Sequence, residues 1–125
     1  EQPQPQPAPS TKESERGRAH FAAIGCATCH QPSLGGVDGA YSDTLLHDLG
    51  PGLAGLPDGS ATAQDWRTPP LWGLRLRQRY LHDERAATLV EAIAAHAGEA
   101  SAARSAFVAL PAAERSALLG FLATL

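Results

Sequence analysis

Apolar positions recur at helical spacing near both ends of the chain and lose their period in between. Phe21 and Ile24 stand at i, i+3 behind Ser10-x-x-Glu13, which has capping-box spacing, so a first helix is predicted over residues 12–24, ended by Gly25. Thr88-x-x-Glu91 is a second capping box; Leu89, Ile93 and His96 share one face of the helix it opens, and Gly98 is a natural stop. Pro111 suits the first position of a last helix, in which Glu114, Leu118, Phe121, Leu122 and Leu125 recur to the terminus. Over residues 31–64, Gly, Pro, Asp and Ser interrupt every period, which predicts a long irregular loop with one helical turn near residues 44–47. Pro69 and Pro70 exclude a helix interior there, although a short helix can begin at Pro70. No internal repeat is present, and only residues 74–77 alternate briefly as a strand would. The expected fold is all-α with long irregular loops, and so long a loop in so small a domain needs an organising centre.

Composition narrows the function. The 125 residues suffice for one domain plus a tail. Residues 1–9, EQPQPQPAP, favour extended polyproline backbone, so residues 1–13 are expected to be a Pro/Gln-rich tail or tether ahead of a domain over residues 14–125. Ten Lys and Arg against 13 Asp and Glu leave a net charge of -3, which gives no electrostatic reason to bind nucleic acid or anionic lipid. No apolar run approaches the roughly 18 residues that cross a bilayer. With neither an initiator Met nor a basic-then-apolar leader, the expectation is a mature or excised segment. Three Phe, two Trp, two Tyr and no Met are thin material for a dense core, so another source of bulk is expected.

Both cysteines lie in one motif, CATCH, at Cys26, Cys29 and His30. A C-x-x-C-H run is the pattern of c-type haem attachment. When the segment coils, two thiols reach the two vinyl groups of one porphyrin as thioethers, and the adjacent imidazole points at the iron. A redox dithiol, a zinc half-site and a disulfide are the competing readings. A dithiol of the thioredoxin kind follows a strand, whereas this motif follows a capped helix, and there is no second C-x-x-C to complete a zinc site. One covalent haem would also supply the missing core mass and the centre for the loop. Such attachment is carried out outside the cytoplasm, so a periplasmic or otherwise exported location is expected.

With no Met in the chain, a distal ligand must be of another type or absent. His20 reads as a solvated residue of the first helix. His47 and His82 each precede an Asp and read as hydrogen-bonding loop residues. His96, on the apolar face of a short late helix, is the first candidate, followed by His82 and His47. Arg67, Arg75, Arg77, Arg79, Trp66 and Trp72 are candidates to meet haem propionates, foremost Trp72 and Arg75. Tyr41 and Tyr80 are candidates to pack beside the macrocycle, and Asp48 and Asp83 to orient His47 and His82. Glu114 and Arg115 read as surface charges.

The stretches GCATCHQPSL, YSDTLLHDLGPGLAG, WRTPPLWGL, YLHDERAATLVEAIAAHAGEA and AARSAFVALPAAERSALLGFLATL together resemble the C-terminal haem domain of bacterial di-haem cytochrome c peroxidases. They are closer still to the relatives named di-haem or thiol oxidoreductases. The likeness covers most of the chain from Arg16 onward. It implies a class I cytochrome c-like domain and places His96 where those peroxidases carry a Met ligand to their electron-transfer haem. The family's HDG is HDE here, so Glu84 replaces a Gly. With a single C-x-x-C-H, the resemblance implies the electron-relay half and not the peroxide-reducing haem. The resulting expectation is a bis-His electron-transfer module, ligated by His30 and His96, rather than an enzyme on its own. Its partners would be redox proteins or a fused oxidoreductase domain. The alternative is a haem peroxidase with a labile distal site.

Overall fold

The computed structural model describes residues 4–125, so the first three residues of the expected tail lie outside the described residues. Helix α1 (Lys12–Ala23) opens at the predicted residue and ends one residue early, but its cap lies one residue after Ser10. Thr11 is the cap: its hydroxyl accepts from Ser14 N at 3.0 Å, and Ser14 Oγ accepts from Thr11 N at 2.7 Å. Ser14 closes this box because its short side chain is buried against the cap, whereas Glu13 faces solvent. Gly25 then leaves the helix at φ 103° and hands the chain to a one-turn 3-10 helix, Cys26–Thr28.

Between the terminal helices the chain is less irregular than expected. Ser33–Leu34 (β1) and Val37–Asp38 (β2) form a hairpin across Gly35 and Gly36, both at positive φ, as a tight two-residue turn requires. Leu46–Asp48 (β3) pairs antiparallel with Asp65–Arg67 (β4), placing His47 opposite Trp66. The helical turn expected at residues 44–47 is therefore a strand. Thr44 takes a left-handed backbone, φ 58°, from which an α-turn cannot start. Among the described residues, the all-α expectation is corrected to four helices with two small two-stranded sheets. The short helix allowed at Pro70 begins instead at Leu74, as a 3-10 turn (Leu74–Leu76).

Helix α2 (Leu89–Ala95) is capped by Thr88, whose Oγ1 accepts from Glu91 N at 3.1 Å, but the Glu91 carboxylate reaches back to Ala87 N. Helix α3 (Ser101–Ala109) has no counterpart in the predicted elements. Helix α4 (Ala112–Leu122) follows Pro111, which stands at its cap rather than its first turn. The core gathers Phe21, Tyr41, Leu74, Phe107, Leu118, Phe121, Leu122 and Leu125. Its centre is an aromatic trio: Phe21 to Phe121 is 5.4 Å, Phe21 to Tyr41 6.0 Å and Tyr41 to Phe121 5.7 Å between ring centroids. Few aromatics suffice because they are concentrated where α1 crosses α4. The segment before α1 lies along this body, with Ala8 N donating to Thr124 O at 2.7 Å. No helix among the described residues is long and apolar enough to cross a membrane.

Glu84 keeps a turn suited to glycine, at φ 58°, with its N donating to Leu81 O at 3.2 Å. A left-handed non-Gly residue costs about 1–2 kcal/mol, partly offset by the extra chain entropy glycine loses on folding. Glu84→Gly is expected to stabilise the protein by about 0.5–1 kcal/mol, read as a higher midpoint of denaturant unfolding.

Candidate functional site

The end of α1 delivers the C-x-x-C-H segment against the aromatic core. Cys26 and Cys29 are both free thiols and half-buried. Burial pushes the Cys26 thiol up to about 11. Burial, then the charges of Asp43 and Glu99, also raise Cys29. His30 sits 6.4 Å from Phe21 between ring centroids, and burial lowers its pKa to about 4, so the imidazole is neutral at pH 7. A carbonyl only accepts, so the 3.0 Å contact of His30 Nδ1 with Tyr41 O places the proton on Nδ1 and the lone pair on Nε2. Tyr41 aims that carbonyl from a left-handed backbone, φ 52°, a strained conformation held by the burial of its ring.

His96 ends α2 as its C-cap, half-buried, and not on the helix face that the spacing suggested. Its Nδ1 meets Ala92 O at 2.6 Å, which again fixes a proton on Nδ1 and makes Nε2 the nitrogen that can coordinate a metal. The two rings are close enough that charge on His96 disfavours charge on His30. Gly98 holds the turn after His96 at φ 55°. A Cβ there would fall 2.2 Å from Asp48 O, so only glycine lets this turn meet the end of β3.

The other histidines are committed elsewhere. His20 Nε2 lies 2.5 Å from Glu114 Oε2, which also pairs with Arg16 at 3.3 Å, so Glu114 ties α1 to α4 and is more than a surface charge. Arg115 likewise caps the end of α3, donating to Leu110 O and to Val108 O. His82 stacks on Trp66, 3.7 Å between centroids and 18° between planes. His47 is held at both ring nitrogens, Nε2 by Asp43 at 2.7 Å and Nδ1 by Glu99 at 3.3 Å. The sequence assigned its orientation to Asp48, whose carboxylate instead accepts from Gly50 N at 2.8 Å. Asp83 binds Arg85 at 2.7 Å and stands 3.8 Å from His82. The Asp43 to His47 spacing was visible in SDTLLHD, but nothing in the sequence pointed to Glu99.

Trp72 and Arg75 meet the N-terminal segment. Trp72 lines a groove with Pro5, Pro7, Asp38 and Leu125, and the Arg75 guanidinium donates to Gln6 O at 2.8 Å. Trp66 Nε1 donates to Leu53 O at 2.8 Å, Arg67 to Thr44 O, Arg79 to Glu84 O at 2.9 Å and Tyr80 to Arg77 O at 3.3 Å, all contacts that close loops. Tyr41 belongs to the aromatic core, while Arg77 is exposed.

Partial burial lowers the His47 pKa, but its hydrogen bonds to Asp43 and Glu99 and their charges outweigh this and raise it. Burial raises Asp43, and the hydrogen bonds it accepts from Leu45 N, Thr68 and His47 outweigh that and lower it. The share of stability from His47 is thus full below its ordinary value of 6.5 and is lost as pH rises through the raised value. That from Asp43 is full above 3.8 and is lost as pH falls through the depressed value. His47→Gln is expected to abolish a decline in melting temperature above neutral pH, measured by thermal unfolding across a pH series.

Two thiols and two imidazoles, each with Nδ1 committed to a backbone carbonyl, are a donor set that fits covalent anchoring of a porphyrin and ligation of its iron. The family model described as "di-haem oxidoreductase, putative peroxidase" matches residues 5–125. Among solved structures, the chain is similar to a chain of Kuenenia stuttgartiensis hydrazine synthase, with TM-score 0.65 and 21% identity over 92% of this chain and 46% of that one. It is also similar to a MauG-like protein associated with microbial copper homeostasis, with TM-score 0.61 and 25% identity over 94% of this chain and 47% of that one. The chain therefore spans about half the length of these structures. No curated protein matches it.

Proposed function

The chain belongs to the di-haem oxidoreductase family, matched from residue 5 to residue 125, and on that premise we propose that it is a class I cytochrome c-like domain that carries one covalent haem and relays single electrons. The observation that carries this reading is the shared Nδ1 contact of His30 and His96, each donating Nδ1–H to a backbone carbonyl so that Nε2 is the nitrogen available to a metal. Cys26 and Cys29 would anchor the haem as thioethers, and His30 and His96 would hold its iron. When bound, the haem would supply a one-electron iron couple. The carbonyls of Tyr41 and Ala92 orient the rings and make them more basic ligands. The core around Phe21 excludes water from the His30 side, which keeps that imidazole unprotonated at neutral pH. Trp72 and Arg75 are assigned to the haem propionates in this reading, although in the structure both meet the N-terminal segment.

The domain works outside the cytoplasm as the relay module of a larger oxidoreductase, with a redox protein or a fused second domain as partner. The location follows from where covalent haem attachment is carried out, and the half-length match to the structural neighbours supports a second domain or partner. Two imidazoles favour ferric iron more than an imidazole and a thioether do, so the midpoint potential is expected clearly below that of His/Met cytochromes. Protein made with haem-attachment machinery should gain the mass of one haem, and potentiometry should give that low midpoint. An unmodified mass, or a high value typical of His/Met ligation, contradicts the proposal.

A further inference from the structure

Before a haem is attached, Cys29 is a free thiol, and the groups around it form a donor set that electron transfer does not use. Cys29 Sγ, a carboxylate oxygen of Asp43 and a ring nitrogen of His47 all lie within 4.8 Å of one another. Bonds of about 2.0–2.3 Å set ligand atoms about 3–4 Å apart around a tetrahedral zinc ion, so the site forms when the Cys29 sulfur draws in and the 2.7 Å contact of His47 Nε2 with Asp43 Oδ2 opens slightly. Asp43 is buried, 6% exposed, and Leu45 N at 2.9 Å fixes Oδ1, which leaves Oδ2 toward His47 Nε2. Behind the ring, Glu99 Oε1 takes Nδ1, the arrangement by which a carboxylate holds an imidazole ligand facing a metal. Glu99 is itself anchored at Asp48 N, 2.5 Å away. Sulfur, nitrogen and oxygen donors with a fourth position open are a zinc-type set.

We propose that in the haem-free chain Cys29, Asp43 and His47 bind a zinc-type divalent cation, with Glu99 orienting His47, and that this cation competes with haem for the Cys29 sulfur. The site is made by the chain alone; only the competition rests on the electron-transfer reading. Binding releases the Cys29 thiol proton, because the thiolate is the ligand, and a dication between the Asp43 carboxylate and the His47 ring offsets the loss. Haem attachment adds the same S–H across a vinyl double bond, sulfur to one carbon and hydrogen to the other, and leaves no thiolate to hold the cation.

The test uses the full chain made without haem-attachment machinery, titrated with Co2+ and then Zn2+. One equivalent of Co2+ should give a thiolate-to-metal charge-transfer band that Zn2+ displaces. The band should persist in Cys26→Ser and be lost in Cys29→Ser and His47→Gln, while Glu99→Gln weakens binding by about tenfold. Absence of the band in the full chain overturns the proposal. So does a band that survives His47→Gln but disappears in Cys26→Ser, which is chelation by the C-x-x-C-H run alone. Zn2+ should also slow haem attachment to the unaltered chain, and equal rates with and without it overturn the competition. Metal binding with the expected pattern in a chain that never accepts haem upholds the site and contradicts the electron-transfer reading instead.

Discussion

His96→Ala is expected to convert the ferric haem protein from low-spin to high-spin, with rapid binding of cyanide or azide that the unaltered protein lacks. The size of the effect follows from how the remaining histidines are held. His47 has both ring nitrogens engaged, by Asp43 and by Glu99, and freeing Nε2 leaves the buried Asp43 carboxylate without that partner. His82 lies flat on Trp66, and His20 is bound to Glu114 across the α1 and α4 crossing. None can take the vacated position without dismantling a contact that closes a loop or joins two helices. His47→Ala and His82→Ala should therefore leave the spin state unchanged. A low-spin spectrum that survives His96→Ala would move the distal ligand elsewhere.

Gly17→Ala should produce the largest loss of stability. Gly17 is buried in the middle of α1, and a Cβ there would fall 1.9 Å from Ala117 O and 2.9 Å from Leu118 Cα on α4. Both obstacles are backbone, so no rotamer change relieves the clash and the two helices must separate. Such overpacking costs about 3 kcal/mol, the upper end of its usual range, well beyond the gain of up to about 1 kcal/mol that alanine brings over glycine in a helix. Because α1 also carries the chain into Cys26, separation should loosen the seat of His30 against Phe21. A denaturant midpoint within error of the unaltered protein would show that the crossing is not as tight as the geometry requires.

The parts of the fold legible in the sequence were those written in local chemistry. Helical spacing marked α1, α2 and α4, and the C-x-x-C-H run singled out Cys26, Cys29 and His30. What escaped depended on contacts distant in the chain. Strand β3 was taken for a helical turn because LLHD has no strand alternation, and it forms through pairing with Asp65–Arg67. Helix α3 escaped because SAARSAFVA carries a single large apolar anchor, Phe107, and no cap that a short-range pattern could find. The Asp43, His47 and Glu99 cluster joins residues up to 56 positions apart and depends on Gly98 letting two backbones touch. Asp48 and Asp83, the sequence neighbours of two histidines, were the obvious orienting groups, yet Asp48 turns its carboxylate to the Gly50 amide.

Low-temperature electron paramagnetic resonance of the ferric, haem-loaded protein tests the account at its root. A low-spin signal with g-values typical of two imidazole ligands is the predicted result. A dominant high-spin signal, or protein that stays colourless after passage through the attachment machinery, would contradict it.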